Sequence, residues 1–353
     1  MSTLATNAIT DASGGNTTTI NGYTPTMSNM AGRNRIINGD MRINQRATTA
    51  TTGYSLDRWY LGSNIGSYTL AQSTDAPLGF KNSLVVTTTS AVTASGTDYA
   101  AVSQIIEGNN IVDFGFGTSN AKTITVSFWV KSSLAGDFSF AFLSGSNAGG
   151  AWRGYASSYT INEENTWEYK TITIVGDTAS FEASFPTDNS AGIYVRWDLG
   201  CGPERENSSA DTWTSGADYR VTGTNRLNAT NGATLYLSGV QLEVGSVATP
   251  FEHRQYGQEL ALCQRYFQIF TGINFNSYAT SSGLTVRQTV SLPVVMRSTP
   301  TPSTITAPPT SINLTSMTLA GQVSSTAISY GGDSAATGRT YLAGGVYHLH
   351  AEL

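Results

Sequence analysis

The chain has 353 residues and a net charge of −5; only 12% of its residues are charged, 36 are glycine, and 10% are aromatic. Nucleic acid binding requires a cluster of basic residues that neutralises phosphate, and no such cluster is present. Disorder of the whole chain is excluded by its aromatic content. The surface therefore takes its polarity from hydroxyl and amide side chains, which favours a β-rich protein.

The sequence also lacks the patterns expected for export, for membrane insertion and for a disulfide or zinc framework. Residues 1–30 carry one charge, Asp11, and lack the apolar run of an export signal. No stretch approaches the ~18 apolar residues of a membrane span, so we expect no membrane insertion. Cys201 and Cys263 are too few for a disulfide framework and lack zinc-binding spacing, so two reduced thiols are expected.

Residues 1–32 form the first region and contain few large apolar side chains. Such a segment cannot bury enough surface to fold alone. It is either a flexible tail or a peptide that docks onto a larger partner, and its near absence of charge favours docking.

Residues 33–250 show repeated period-two alternation between turn clusters such as Asn231-Gly232. The clearest example is the run 124–130, in which Ile124, Val126 and Phe128 alternate with polar residues and with Trp129. Many short strands without intervening helices predict an antiparallel jelly-roll β-sandwich.

Residues 251–270 are predicted to form one amphipathic connecting helix. Its apolar positions recur at spacings of four and three residues, which places them on one stripe: Tyr256, Leu260, Cys263, Phe267 and Phe270. The stripe is too short for a coiled coil, so we expect it to pack on a sheet or at a subunit contact, with Cys263 in the core.

Residues 271–353 are predicted to form a smaller C-terminal β domain. Five of the ten prolines fall between Pro293 and Pro309, and proline cannot donate to a sheet ladder. This stretch is therefore an edge strand or an extended connector, and strands resume near Ile312.

Three passages carry a family resemblance. They are NRIINGDMRINQR with YSLDRWYL; ITVSFWVKSS with NTWEYKTITIVGDT, WDLGCG and DTW; and GVQLEVGSVATPFEHRQYGQELALCQRYFQ. Together they resemble a family of phage tail-fibre and related virion proteins, which are similar to carbohydrate-binding modules of the jelly-roll type. The resemblance covers residues 33 to about 270, and DASGGNTTTINGYTPT is similar to virion attachment segments.

The resemblance implies a homotrimeric, non-enzymatic virion protein, assembled in the host cytoplasm. Residues 1–32 would attach it to another phage tail or capsid protein, and its β domains would bind a host cell-surface glycan as part of a tail fibre. The alternative is a head or tail decoration protein that stabilises the particle without binding sugar.

Sugar recognition requires an aromatic face with polar groups beside it. The candidates are Trp152, Arg153 and Tyr155 in the segment 149–159, and Trp213 in the loop 200–218. Trp59 and Trp197 are expected in the core instead.

Catalytic and metal sites have weaker support. No GxSxG elbow precedes any histidine, so a Ser-His-Asp triad has no support. A glycosidase would need two carboxyl groups at a defined distance, which the sequence does not give, so Glu163-Glu164 or Asp198 would be arbitrary choices. No cofactor is expected. Asp57-Arg58 is either an ion pair or part of a structural calcium site, although no calcium loop motif appears. His348 and His350 share one strand face and would meet a metal only on a threefold axis; two exposed histidines are the simpler interpretation.

Overall fold

The computed structural model describes residues 32–148, 150–271, 275–304, 310–318, 323–343 and 346–353. Of the predicted anchoring peptide, residues 1–32, only Gly32 belongs to this part, so that prediction lies outside the described residues. Within the described part, the protein is mainly β and contains one α-helix.

Fourteen strands, twelve of which build the sandwich, precede the helix among the described residues. In chain order they are β1 (Gly53–Tyr54), β2 (Tyr60–Ser63), β3 (Ser67–Ser73), β4 (Ser83–Ser90), β5 (Ala100–Glu107), β6 (Ile124–Ser132), β7 (Gly136–Ser144), β8 (Gly154–Ile161), β9 (Glu168–Ile174), β10 (Ala191–Asp198), β11 (Glu206–Asn207), β12 (Thr212–Thr214), β13 (Arg220–Val221) and β14 (Thr234–Val244). Single 3-10 turns lie at Gly108–Asn110, Val112–Phe114, Glu182–Ser184, Pro203–Arg205 and Leu227–Ala229.

Two antiparallel sheets form the jelly-roll sandwich. The seven-stranded sheet has the order β1-β2-β5-β10-β7-β8-β12, and the five-stranded sheet has the order β3-β4-β14-β6-β9. Consecutive strands repeatedly change sheet, as β4 to β5 and β5 to β6 do, which is the crossing pattern of a Greek-key sandwich. A small parallel pair, β11 with β13, joins neither ladder and packs beside β7, where the Val221 N–H donates to the Ser139 hydroxyl.

The core lies between the inner faces of these two sheets. Ile124, Val126 and Phe128 of β6 are fully buried there, as the alternation predicted. Trp59 and Trp197 are also fully buried, with ring centroids 5.7 Å apart, and the Phe128 ring meets Trp197 edge-on at 5.4 Å. The prediction that both tryptophans belong to the core is confirmed.

The helix α1 spans Tyr256–Gln264, so the predicted helix over 251–270 is too long. Phe267 and Phe270 lie in a strand, where their backbone groups pair with residues 347–350. Aromatic residues three and four apart suit a helix face, but this ladder satisfies the same backbone groups and accommodates aromatic side chains better. The predicted stripe is wrong beyond Gln264.

Helix α1 packs against the segment that leads into the sandwich. Cys263 is fully buried, as predicted, in a cluster with Ile37 and Ile43, and Leu260 packs against the same cluster. Tyr256, in contrast, is 58% exposed at the start of the helix.

Nine strands follow the helix in the described residues. They are β15 (Phe267–Thr271), β16 (Phe275–Ala279), β17 (Thr285–Ser291), β18 (Thr301–Thr304), β19 (Thr310–Ile312), β20 (Leu314–Thr318), β21 (Ala327–Ser334), β22 (Gly338–Ala343) and β23 (Val346–His350). They form three three-stranded sheets, β15-β23-β18, β16-β22-β19 and β17-β21-β20. Pro302 lies in β18, an edge strand of its sheet, as the missing backbone donor requires.

The residues after β23 return to the sandwich. The Glu352 carboxylate accepts hydrogen bonds from Arg46 and Arg58, and all three side chains are at least nine-tenths buried. The sequence offered an Asp57–Arg58 ion pair as one alternative, but Asp57 instead accepts hydrogen bonds from Gln45 at 2.6 and 2.7 Å. Asp57 and Arg58 lie in a turn in which Arg58 has a φ of +71°, and the Arg58 side chain pairs with a residue distant in sequence. The predicted division into domains stays a prediction.

Candidate functional site

The four predicted sugar-binding residues lie in three different environments. Tyr155 and Trp213 are directly opposite each other on β8 and β12, with ring centroids 5.3 Å apart. Tyr155 is buried, and the Trp213 ring packs on Phe116 and Phe185 while its indole N–H donates to the Val175 carbonyl at 2.7 Å. This pair belongs to the edge of the sandwich core.

Arg153 and Trp152 are separated as well. The Arg153 guanidinium donates two hydrogen bonds to the Asp177 carboxylate, at 2.6 and 2.9 Å, and both residues are buried. Trp152 is half-buried and packs against the cluster of Leu143, Cys201 and Tyr219. The four residues therefore do not form one surface, and sugar binding by any of them stays a prediction.

The acidic candidates and the two histidines also lie in different environments. Glu163 and Glu164 are exposed in the turn before β9, whereas Asp198 is fully buried, and burial raises the pKa of its carboxyl group to about 7 against the opposing effect of Arg220. His348 and His350 each have ring centroids 5.0 Å from Phe267, and burial lowers the pKa of both.

The described residues contain no group of three or more His, Cys, Asp or Glu side chains that could hold a metal ion. The threefold-axis metal site, the less favoured interpretation of His348 and His350, stays untested. Within the same residues, no helix has the length and apolar character needed to cross a membrane.

A different surface brings aromatic and polar groups together, on the outer face of the five-stranded sheet. Trp129 of β6 and Tyr169 of β9 are directly opposite each other, with ring centroids 5.4 Å apart. Tyr169 is 44% exposed. Because Phe128 and Val130 point into the core, the alternation of β6 places the Trp129 ring on the outside.

Three further rings complete an aromatic wall beside this pair. Phe80 meets Phe251 edge-on at 5.1 Å, and the His253 ring lies 5.5 Å from Phe80 and 4.9 Å from Phe251. These rings, with Trp129 and Tyr169, line a cavity of about 600 Å³. This size is within the range of small-molecule sites.

A second cavity of about 370 Å³ adjoins the first and shares Phe80 and His253 with it. Its other walls include Asp40, Arg42 and Lys81, so this end is charged where the first is aromatic. The Arg42 guanidinium lies 2.9 Å from the Asp40 carboxylate. Burial raises the pKa of Asp40, and the Arg42 charge opposes that shift. We call the two cavities together the cleft.

The segment 74–82 forms one wall of the cleft and is fixed at both ends. The Trp167 indole N–H donates to the Asp75 carboxylate at 3.0 Å, and the Lys131 ammonium pairs with the same group. At the other end, Ser238 donates a hydrogen bond to the Asn82 carbonyl at 2.8 Å. The wall is thereby held against the sheet without a ligand.

The Phe80 ring is accommodated by a glycine in β14. Gly239 has a φ of +58°, and a Cβ at that position would lie 2.6 Å from the ring. Only glycine adopts this conformation readily while allowing such close approach.

The opposite wall, residues 248–253, is held by buried polar side chains of β14. The Glu243 carboxylate accepts hydrogen bonds from the Thr249 backbone N–H at 2.8 Å and from its hydroxyl at 2.7 Å. The Gln241 side chain accepts the Glu252 backbone N–H at 2.8 Å. These bonds position Phe251 and His253 relative to Phe80.

Sequence reasoning missed the cleft, because its residues come from six separate segments. One signal was present: Trp129 occupies the polar side of an otherwise well-alternating strand. A large aromatic side chain on the outward face is informative, since burial would be its usual state.

No protein-family model matches the chain, and no curated protein matches it. A putative sugar binding protein from Bacteroides thetaiotaomicron is 14% identical with a TM-score of 0.35, covering 60% of this chain and 100% of that one.

Two further solved structures show similar values. TmCBM61 in complex with β-1,4-galactotriose is 12% identical with a TM-score of 0.30, covering 61% of this chain and 100% of that one. The enzymatically active domain of bacteriophage CBA120 tailspike protein 4 is 14% identical with a TM-score of 0.32; 60% of this chain and 21% of that chain are covered. Over about 60% of its length the chain is thus similar to carbohydrate-binding modules and to a tailspike domain.

Proposed function

We propose that the protein binds glycans non-enzymatically through the cleft. The observation that carries this proposal is the direct junction of an aromatic cavity with a charged one, in which Phe80 and His253 belong to both. Sugars present apolar C–H faces and polar hydroxyl edges, so a site for them needs both kinds of surface side by side.

The two outward-facing rings supply the apolar contact. Trp129 and Tyr169 stand on rigid neighbouring strands, so their orientation is fixed before a ligand arrives. Preorganised rings lose little conformational entropy on binding, which favours affinity.

Hydroxyl groups of the sugar would be bound at the charged end. The Asp40 carboxylate lines the charged cavity, and a carboxylate accepts hydrogen bonds from hydroxyl groups. A buried acceptor is stabilised by a donor, and a sugar hydroxyl supplies one. The Arg42 side chain, paired with the same carboxylate, keeps Asp40 in place.

Binding without catalysis is the proposal because glycoside hydrolysis uses two carboxyl groups flanking the scissile bond. Among the described residues that line the two cavities, Asp40 alone carries a carboxyl group. A single carboxylate paired with arginine suits recognition better than acid–base chemistry.

The wider role is proposed on the resemblance in the sequence. We propose a homotrimeric phage tail fibre or receptor-binding protein that is attached to the particle through residues 1–32 and displays the cleft to a host cell-surface glycan. A decoration protein that binds no sugar is the alternative. A solution mass near 37.4 kDa would contradict the trimer, and retention of a protein lacking residues 1–32 on particles would contradict the anchor.

The test of glycan binding compares two double variants on an oligosaccharide array that includes xylohexaose and β-1,4-galactotriose, the latter being the ligand in one of the similar structures. Each exposed ring contributes about 1 kcal/mol, so Trp129→Ala with Tyr169→Ala should weaken binding roughly thirtyfold. Trp152→Ala with Trp213→Ala should leave binding intact. The reverse pattern would move the site to the residues predicted from sequence, and no binding by the wild-type protein would favour the decoration role.

A further inference from the structure

The charged end of the cleft carries more positive than negative charge. Arg42 and Lys81 face one carboxylate, Asp40, and that carboxylate is already paired with Arg42. Lys81 is exposed and has no ion-pair partner among the described residues. This excess is notable in a chain whose net charge is −5.

The carboxylates in or next to the cleft walls are engaged elsewhere. Asp75 pairs with Lys131 and accepts the Trp167 indole N–H. Glu252 accepts the backbone N–H groups of Gly32 and Asn34 at 2.6 and 2.9 Å. Glu259 pairs with Arg254 at 3.3 Å and accepts the Asn38 N–H at 2.5 Å. None of them is free to neutralise Lys81, whose ammonium is left to solvent or to a ligand.

The geometry of the two cavities sets where an anionic group would lie. The rings of Trp129 and Tyr169 belong only to the aromatic cavity, whereas Arg42 and Lys81 belong only to the charged one. A ligand spanning both therefore places a sugar face over the rings and its charged substituent beyond Phe80 and His253.

We infer that the cleft prefers an acidic glycan, one whose sugar carries a carboxylate or phosphate group that binds at Lys81 and Arg42. This inference rests on the proposed function and names the class of its ligand. Arginine and lysine both bind such oxyanions through charge-assisted hydrogen bonds. The same anion would be repelled by the rest of an acidic protein surface, so the preference is local to the cleft.

The experiment measures binding of matched oligosaccharides by titration calorimetry. The probes are xylo-oligosaccharides and galacto-oligosaccharides of equal length, each with and without one uronic acid residue, and a third set carrying one phosphate ester. An exposed charge pair contributes up to about 1 kcal/mol, so the wild-type protein should bind the acidic member of a pair about two- to fivefold more tightly. Raising the salt concentration should reduce this ratio.

Substitutions of the exposed Lys81 distinguish an effect of its charge on binding from an effect on folding. Lys81→Gln should bring the acidic-to-neutral affinity ratio close to one, and Lys81→Arg should restore it. Lys122→Gln, at an exposed lysine outside both cavities, should leave the ratio unchanged.

Each result has a distinct meaning. Equal binding of acidic and neutral probes by the wild-type protein, or a ratio that survives Lys81→Gln, overturns the acidic preference while glycan binding stands. If the wild-type protein binds no member of any pair, the proposed function fails and the inference fails with it. A preference for only the uronic acid or only the phosphate set identifies which anion the cleft takes.

Discussion

Replacing Glu352 by glutamine should destabilise the protein severely, although the residue lies next to the last position of the chain. Its carboxylate is the shared partner of Arg46 and Arg58, whose side chains are 7% and 1% exposed. The Arg58 guanidinium also stacks 3.6 Å from the centre of the Tyr266 ring and donates to the Ile105 carbonyl. It therefore cannot move to water when its counter-ion is lost.

The magnitude follows from this burial. Removing one partner of a buried ion pair costs about 3–5 kcal/mol, because the remaining charge is left uncompensated. A typical domain has a stability of about 5–15 kcal/mol, so the substitution should remove a large part of it. Glutamine has nearly the same shape as glutamate, so the loss reports the charge and not a cavity.

The assay is urea denaturation followed by tryptophan fluorescence, with Asp113→Asn as the matched control. Asp113 pairs with Arg35 at 2.8 Å, but its side chain is 44% exposed, so this change should cost less than about 1 kcal/mol. If Glu352→Gln and Asp113→Asn have equal effects, the buried ion pair is not what attaches the final residues to the sandwich.

Three further predictions concern stability, the cleft and the thiols. Burial raises the pKa of Asp198 to about 7 in the folded protein, against roughly 3.9 in the unfolded chain. The free energy of unfolding should therefore fall as the pH rises from about 4 to 7, by up to about 4 kcal/mol, because the folded protein must then bury the charged carboxylate. Asp198→Asn should remove this pH dependence in denaturation experiments, and a pH profile that the substitution leaves unchanged would contradict the prediction. Gly239→Ala should displace Phe80, cost about 1–2 kcal/mol because of its positive φ, and weaken glycan binding measured by calorimetry; unaltered affinity would show that Phe80 does not shape the site. Cys201 and Cys263 are fully buried, and burial raises the pKa of both thiols, so a thiol reagent should modify them only in denaturant; fast reaction of the native protein would refute this.

The strands and the core could be predicted from local pattern because both depend on which side of a strand each residue faces. Ile124, Val126 and Phe128 alternate along the chain, and burial follows the same alternation. Trp197 was assigned to the core by the same reasoning, and the edge position of Pro302 follows from its missing N–H.

What sequence pattern could not supply was pairing between distant segments. The spacing of Phe267 and Phe270 suits a helix, but the chain there pairs with β23, some eighty residues later. Arg58 has an acidic neighbour in sequence, yet its partner is Glu352, at a separation of 294 residues. The local spacing of apolar residues does not indicate which distant segments pair, since these contacts form only when the sheets assemble.

The site was missed for a related reason. Aromatic residues close together in sequence, Trp152 and Tyr155, point to different sides of one sheet edge, because their local conformation separates them. Trp129 and Phe251 are far apart in sequence and line one cavity. Proximity along the chain is therefore a poor guide to a binding surface built on a sheet face and its loops.

The most direct test of glycan binding in the cleft is a crystal structure of the protein with the tightest-binding oligosaccharide from the array. We predict a sugar ring stacked on Trp129 or Tyr169, with a hydroxyl group donating to Asp40. A sugar bound instead beside Trp152, on the seven-stranded sheet, would contradict the assignment of the cleft as the binding site.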